Sequence, residues 1–259
     1  MPDLKVSIVQ RMLHWEDADA NRRMFAEAIA PLKGVTDLIV LPEMFTTGFS
    51  MRSAELAEAM DGPTVDWMRA QAALLDAAIY GSAIITQEGR CFNRGLFVRP
   101  DGEVTAYDKR HLFRFAKETE HYAAGSERVV VNWRGWRILL QICFDLRFPV
   151  FARNRGDYDA ILYVANWPEA RRFPWSQLLI ARAIENQCHV AGVNRVGMDG
   201  KGIHYSGESV LIDPRGELMA CVESSQEGIA TCSFEWNALE DFRARFPVAM
   251  EADDFDLRL

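Results

Sequence analysis

The chain has 259 residues, 49% apolar and 25% charged, a balance that fits a globular protein with a deep core. Its 37 acidic against 29 basic side chains give a net charge of −8, which argues against a nucleic-acid partner. No apolar run approaches the roughly 20 residues needed to cross a bilayer, and Met1-Pro2-Asp3-Leu4-Lys5 lacks the basic and apolar regions of a signal peptide.

In chain order, Leu4 to Gln10 reads as a buried strand and Asp17 to Leu32 as a helix, with Asp17 or Asp19 as its cap and Met24, Phe25, Ala28 and Ile29 on one face. Asp37 to Leu41 is a short apolar strand ending at Pro42-Glu43. Pro63 starts a second helix, in which Trp67, Leu74 and Ala78 recur at helical spacing, and Ile79 to Ile85 is another strand. Cys91 to Arg99 and Glu103 to Asp108 flank the turn Pro100-Asp101-Gly102, and Val129 to Trp133 and Trp136 to Ile142 flank Arg134-Gly135. Helix and strand patterns then alternate over Pro149 to Arg155, Ala160 to Ala165, Pro174 to Cys188 and His189 to Asn194. Gly207 to Asp213, Glu217 to Val222 and Ile229 to Phe234 are the last strands, before a polar tail. Without a linker, repeat or low-complexity stretch, the chain reads as one α/β domain over residues 1–259, a sandwich of mixed sheets with its core at about 4–235 and a tail at 236–259.

The five cysteines show no paired spacing, which favours free thiols in a reducing cytoplasm. The five histidines (His14, His111, His121, His189, His204) lack ligand spacing, so no metal is expected. Asp199-Gly200-Lys201-Gly202 is too poor in glycine to cradle a phosphate.

Three stretches each put a reactive group just past an apolar strand, where α/β folds hold their ligands: Leu41-Pro42-Glu43-Met44-Phe45, Tyr107-Asp108-Lys109-Arg110-His111-Leu112 and Ile142-Cys143-Phe144-Asp145. Singly, such a cysteine is most often an inert core residue, and such a glutamate or lysine a solvated one. Together they make a nucleophile: a carboxylate takes the thiol proton, and an ammonium favours the thiolate and stabilises an oxyanion. The other cysteines, Cys91, Cys188, Cys221 and Cys232, read as core residues. His111 as the base of a Cys–His pair is the weaker alternative to Glu43.

The motifs Leu-Pro-Glu43-Met-Phe, Tyr-Asp-Lys109-Arg-His-Leu-Phe and Gln-Ile-Cys143-Phe-Asp-Leu-Arg-Phe-Pro resemble, in order, the Glu-Lys-Cys triad of the carbon–nitrogen hydrolase (nitrilase) superfamily, over about Val6 to Phe234. The resemblance implies a four-layer αββα sandwich of two mixed sheets packed face to face, which pairs as a homodimer or higher homo-oligomer and needs no cofactor. It implies Glu43 as general base and then acid, Cys143 as the residue that forms a thioester, and Lys109 with the backbone N–H of Phe144 as oxyanion donors. It also implies a second glutamate, for which Glu118 matches by its spacing from Gly125, with Glu120 the alternative.

Phe144-Asp145-Leu146 replaces the Trp-Glu-Asn of members acting on nitriles. The residues around Lys109 and Cys143, with Tyr163-Val164-Ala165-Asn166-Trp167-Pro168, look most like the bacterial ω-amidases, which cut the terminal amide of 2-oxoglutaramate or 2-oxosuccinamate. The carboxylate of such a substrate needs a clamp, and Arg147, Arg171 and Arg172 are candidates. Arg147 has a plainer alternative as a brace paired with Glu185. Asn166 belongs with the substrate-binding candidates, and Phe113, Phe115 and Trp167 either wall a pocket or cover the core. Another linear amidase, an N-carbamoyl hydrolase and, outside catalysis, a redox-sensing or binding module with Cys143 as sensor remain the competing readings.

Overall fold

A computed structural model of the chain describes residues 1–257. The first half gives β1 (Leu4–Gln10), α1 (Ala18–Ile29), β2 (Leu38–Val40), α2 (Ser53–Leu56), α3 (Pro63–Leu75), β3 (Ala78–Gln87), β4 (Arg90–Val98), β5 (Val104–Asp108) and α4 (Glu118–His121). The second gives β6 (Val130–Trp133), β7 (Trp136–Ile142), α5 (Pro149–Ala152), β8 (Ala160–Ala165), α6 (Arg172–Asn186) and β9 (His189–Asn194). It continues with β10 (Val196–Met198), β11 (His204–Ser206), β12 (Val210–Ile212), β13 (Leu218–Cys221), β14 (Gly228–Phe234) and α7 (Trp236–Arg245).

Two six-stranded sheets run in the orders β14-β1-β2-β3-β4-β5 and β13-β12-β9-β8-β7-β6. Each has three parallel strands at its centre (β1, β2, β3 and β7, β8, β9) flanked by antiparallel ones. The central strands are buried on both faces, so they read as near-continuous apolar runs. Val6, Ile8, Val40 and Tyr80 of the first sheet pack with Ile138, Leu140, Ile142 and Leu162 of the second. The Tyr80 hydroxyl crosses between the sheets to the carbonyl of Gln141 at 3.1 Å. A Cβ on Gly95 would stand 2.7 Å from that hydroxyl, so the neighbouring strand needs glycine there. Phe25 and Ile29 of α1 and Val65, Met68 and Leu75 of α3 cover the outer face of the first sheet. Trp175, Leu179 and Ala183 of α6 cover that of the second. The layers are therefore α, β, β, α, as the family resemblance implied.

Asp17 caps α1, its carboxylate accepting the Ala20 N–H at 2.9 Å, and Pro63 opens α3. The expected helix over Pro149 to Arg155 is only the four-residue α5. Asn154 ends it by turning its side-chain oxygen onto the N–H groups of Gly156 and Asp157 at 3.0 and 3.2 Å. The expected polar tail contains α7, which docks: Leu239 is buried, Trp236 meets Trp136 edge-on, and Arg243 reaches Asp159 at 2.8 Å. The expected elements omit the β10–β11 hairpin, because its two strands are only three residues each, although the Asp199-Gly200 of the joining turn is itself a turn signal. Cys188 is buried as expected, Cys91 and Cys232 are partly so, but Cys221 is exposed because β13 is the edge strand of its sheet.

Candidate active site

Glu43, Lys109, Glu118 and Cys143 converge from four separate places in the chain. Glu43 follows β2, Lys109 follows β5, Glu118 opens α4 and Cys143 follows β7. Three of these positions involve left-handed backbone: Cys143 itself (φ 47°), Met44 beside Glu43 (φ 43°) and Lys117 beside Glu118 (φ 62°). Non-glycine residues hold that conformation only where the surroundings enforce it. At Cys143 the enforcing group is Asp145. Its carboxylate accepts the Ile142 N–H at 3.0 Å, the Tyr107 hydroxyl at 2.7 Å and the His111 N–H at 3.0 Å. The His111 ring also meets Asp145 at 2.8 Å and stacks on Phe148, so this imidazole braces the turn, and the Cys–His reading fails.

Lys109 is wholly buried, and its ammonium donates to Glu43 at 2.9 Å and to both oxygens of Glu118 at 3.0 Å. Gly125 gives its N–H to the Lys109 carbonyl at 3.0 Å, and a Cβ there would stand 2.2 Å from the Asp108 carbonyl oxygen. That close approach explains why a glycine stands at the spacing that pointed to Glu118. Glu120 faces solvent, 3.9 Å from Lys117. The second oxygen of Glu43 accepts the Asn166 N–H at 2.8 Å, and the Asn166 side-chain N–H reaches the Glu43 carbonyl at 2.6 Å. The ends of the two central strands, β2 and β8, are thereby tied together across the sheets.

Burial costs ionised groups their hydration, and the partners decide the balance. Burial raises the Glu118 carboxyl above its usual range, against the pull of Lys109. Lys109 is pushed down by burial but raised further by its two carboxylates, so it stays an ammonium. Burial drives the Cys143 thiol well above its ordinary value, and Glu43 adds to this while Lys109 opposes it. Cys143 is thus a neutral thiol at rest, first because it is buried and then because two carboxylates face it against one ammonium, which suits a carboxylate that takes the thiol proton during attack.

Cys143 forms part of the wall of a pocket shared with Phe49, Phe113, Phe144, Arg147, Asn166, Trp167, Arg171 and Tyr205. Arg147 lies over the Trp167 ring at 5.3 Å and Arg171 over Phe113 at 5.3 Å. Among the described residues neither guanidinium has a carboxylate partner. The brace expected of Arg147 belongs to Arg182, which holds Glu185 at 2.8 Å and donates to the Leu146 carbonyl. Arg172 does not line the pocket; it opens α6 and points to Glu208 at 3.8 Å. Phe115 is 85% exposed and only tilts against Phe113. Sequence reasoning missed Asn93 and Tyr205. Asn93 is a polar residue inside an otherwise apolar strand, a signal that was available, whereas Tyr205 arrives on the unforeseen hairpin.

A buried thiol beside a carboxylate–ammonium–carboxylate cluster, set at a strand end in an αββα sandwich, defines a carbon–nitrogen hydrolase. The chain belongs to that family: residues 5–244 match Carbon-nitrogen hydrolase. It is 50% identical over 257 residues to the omega-amidase YafV of Escherichia coli strain K12, covering 99% of this chain and 100% of that one. It is 33% identical over 217 residues to the 2-oxoglutaramate amidase of Bacillus subtilis strain 168, covering 82% and 83%. A crystal structure of a CN-hydrolase superfamily protein from Xanthomonas campestris, with an arsenic adduct in its active site, superposes with a TM-score of 0.98 at 50% identity and full coverage of both chains. The protein is accordingly a hydrolase acting on carbon–nitrogen bonds other than peptide bonds. No helix of the described residues is long and apolar enough to cross a membrane.

Proposed function

We propose that the protein is an ω-amidase that releases ammonia from the terminal amide of α-keto acid monoamides such as 2-oxoglutaramate and 2-oxosuccinamate. The observation that carries this reading is the pocket at Cys143, which offers two cations without carboxylate partners (Arg147 and Arg171) and one free acceptor. That acceptor is the side-chain oxygen of Asn166, buried and without a partner, while its amide nitrogen is committed to Glu43. The guanidiniums suit the substrate carboxylate, and the acceptor suits an amide N–H, which a nitrile lacks. The likeness to the omega-amidase of E. coli supports the same class.

In the mechanism, the Cys143 sulfur attacks the amide carbon as its proton passes to Glu43. Lys109 and the Phe144 N–H stabilise the oxyanion. Glu43 then protonates the leaving nitrogen, ammonia departs and a thioester remains. Water attacks the thioester with Glu43 again taking its proton, and the dicarboxylic keto acid leaves as the thiol is restored. Glu118 keeps Lys109 aligned throughout. The free thiols fit a cytoplasmic setting. The exposed Val150 of α5 and Ile184 of α6 offer a second copy of the chain an apolar face, for which light scattering at the mass of a dimer is the check.

A coupled ammonia assay across keto-acid amides, carbamoyl amino acids and nitriles tests the substrate. The keto-acid amides should show the highest kcat/KM, and Cys143→Ala should abolish turnover. Preference for a carbamoyl amino acid would transfer the protein to that other branch. Equal rates in wild type and Cys143→Ala would overturn the thioester route.

A further inference from the structure

Two carboxylates, Glu43 and Glu118, stand on a single ammonium in a site closed to solvent, which leaves one excess negative charge. An uncompensated buried charge neutralises by taking up a proton unless further hydrogen bonds hold it. The further side-chain donor is Asn93, wholly buried on β4. Its amide nitrogen lies 2.8 Å from the Glu43 oxygen that Lys109 holds and 3.2 Å from the corresponding Glu118 oxygen. Asn93 and Lys109 therefore bridge the same two oxygens. Ser82 sets the amide's orientation. Its hydroxyl donates to the Asn93 side-chain oxygen at 2.8 Å and accepts the Met44 N–H at 2.8 Å, next to Glu43. A flipped amide would place oxygen against two carboxylates and nitrogen against the serine proton.

We propose that Asn93, oriented by Ser82, is a positioning residue that shares its two N–H groups between Glu43 and Glu118 and so offsets their excess charge where the base must act. The role rests on the amide-hydrolase reading of the site. The other titratable groups facing the cluster are Lys109, the Cys143 thiol, and the phenols of Tyr80, Tyr122 and Tyr205. Burial raises all three phenols, so none exchanges a proton near neutrality. Burial raises the Glu118 carboxyl, and donors to its ionised form act against that rise.

The test is the acid limb of two pH profiles in Asn93→Leu. One is kcat/KM for 2-oxoglutaramate. The other is the rate of Cys143 alkylation by iodoacetamide, in which the S–C bond forms, iodide leaves and the thiol proton passes to Glu43. The second needs no turnover, so it still tests Asn93 if no keto-acid amide proves to be a substrate. Losing a donor to a charged group should move both acid limbs up by roughly one pH unit or more. The rate below the limb then falls about tenfold, with a smaller loss above it. A folded Asn93→Leu whose limbs superimpose on wild type overturns the proposal, whatever the change in overall rate. If Asn93→Leu does not fold, Ser82→Ala decides. It frees the amide to turn and should shift the limbs in the same direction by a smaller amount, and unshifted limbs overturn the proposal.

Discussion

The two sheets end in unlike chemistry at the same place. The first contributes Glu43, Lys109, Asn93 and, through the loop after β5, Glu118, all buried and polar, with Lys109 and Asn93 each donating to both carboxylates. The second contributes Cys143, Asn166, Trp167, Arg147 and Arg171, which face a pocket and include groups left without partners. On the proposed mechanism the first sheet carries the buried proton-handling groups, and the second the nucleophile with the surface that would recognise substrate. Sealing strengthens every charge–charge contact in the first set, whereas the second must stay open to ligand.

If this division is right, changes on the first sheet should act on kcat and changes on the second on KM. Glu43→Gln is the largest expected effect. It keeps the acceptor for Lys109 but loses the base, so kcat should fall by roughly 10³-fold, within the range of general acid–base catalysis, with KM nearly unchanged. A rate within tenfold of wild type would move the base elsewhere. Lys109→Met leaves two buried carboxylates without their cation and should cost roughly 3–5 kcal/mol of stability, read from urea unfolding at pH 7. On the second sheet, Arg147→Leu should raise KM for a keto-acid amide by about 10- to 100-fold, the worth of a hydrogen bond to a charged group. An amide without a carboxylate should lose little. If both lose equally, Arg147 supports the fold rather than clamping substrate.

The smallest effect on activity concerns another titratable group buried in the second sheet, His189. His189 stacks on Phe234 at 4.3 Å, and burial lowers its pKa to about 4. The native state therefore prefers the neutral ring. Its contribution is complete above the unfolded value of roughly 6.5 and is lost as pH falls toward 4, by about 3 kcal/mol in all. Urea midpoints at pH 7 and pH 4.5 should differ less in His189→Phe than in wild type. An identical acid loss in both would place the sensitivity in the carboxylates of the first sheet.

How much of this was legible depended on how local the cause is. Glu43, Lys109 and Cys143 announce themselves because each ends an apolar strand, whereas Glu118 was reached only through the family resemblance, by its spacing from Gly125, a position where the Asp108 backbone leaves no room for a side chain. Arg147 was left between Glu185 and the pocket because that choice depends on Arg182, a helix away, which occupies Glu185 first. Arg172 and Arg171 are neighbours with the same chemistry, and only the entry into α6 separates them. The resting charge state of Cys143 was not legible because it depends on burial and on three groups from distant parts of the chain. The α7 helix escaped notice because so little of it, chiefly Leu239, is buried.

The pairing of β1 with β14 joins Leu4–Gln10 to Gly228–Phe234. A strand near the start of the chain thus waits for one near its end, the kind of long-range contact that slows folding. During synthesis β1 would show a bare edge beside β2, the strand that aims Glu43. The hydrolase should therefore stay inert on the ribosome until β14 emerges, which leaves that edge to be shielded meanwhile.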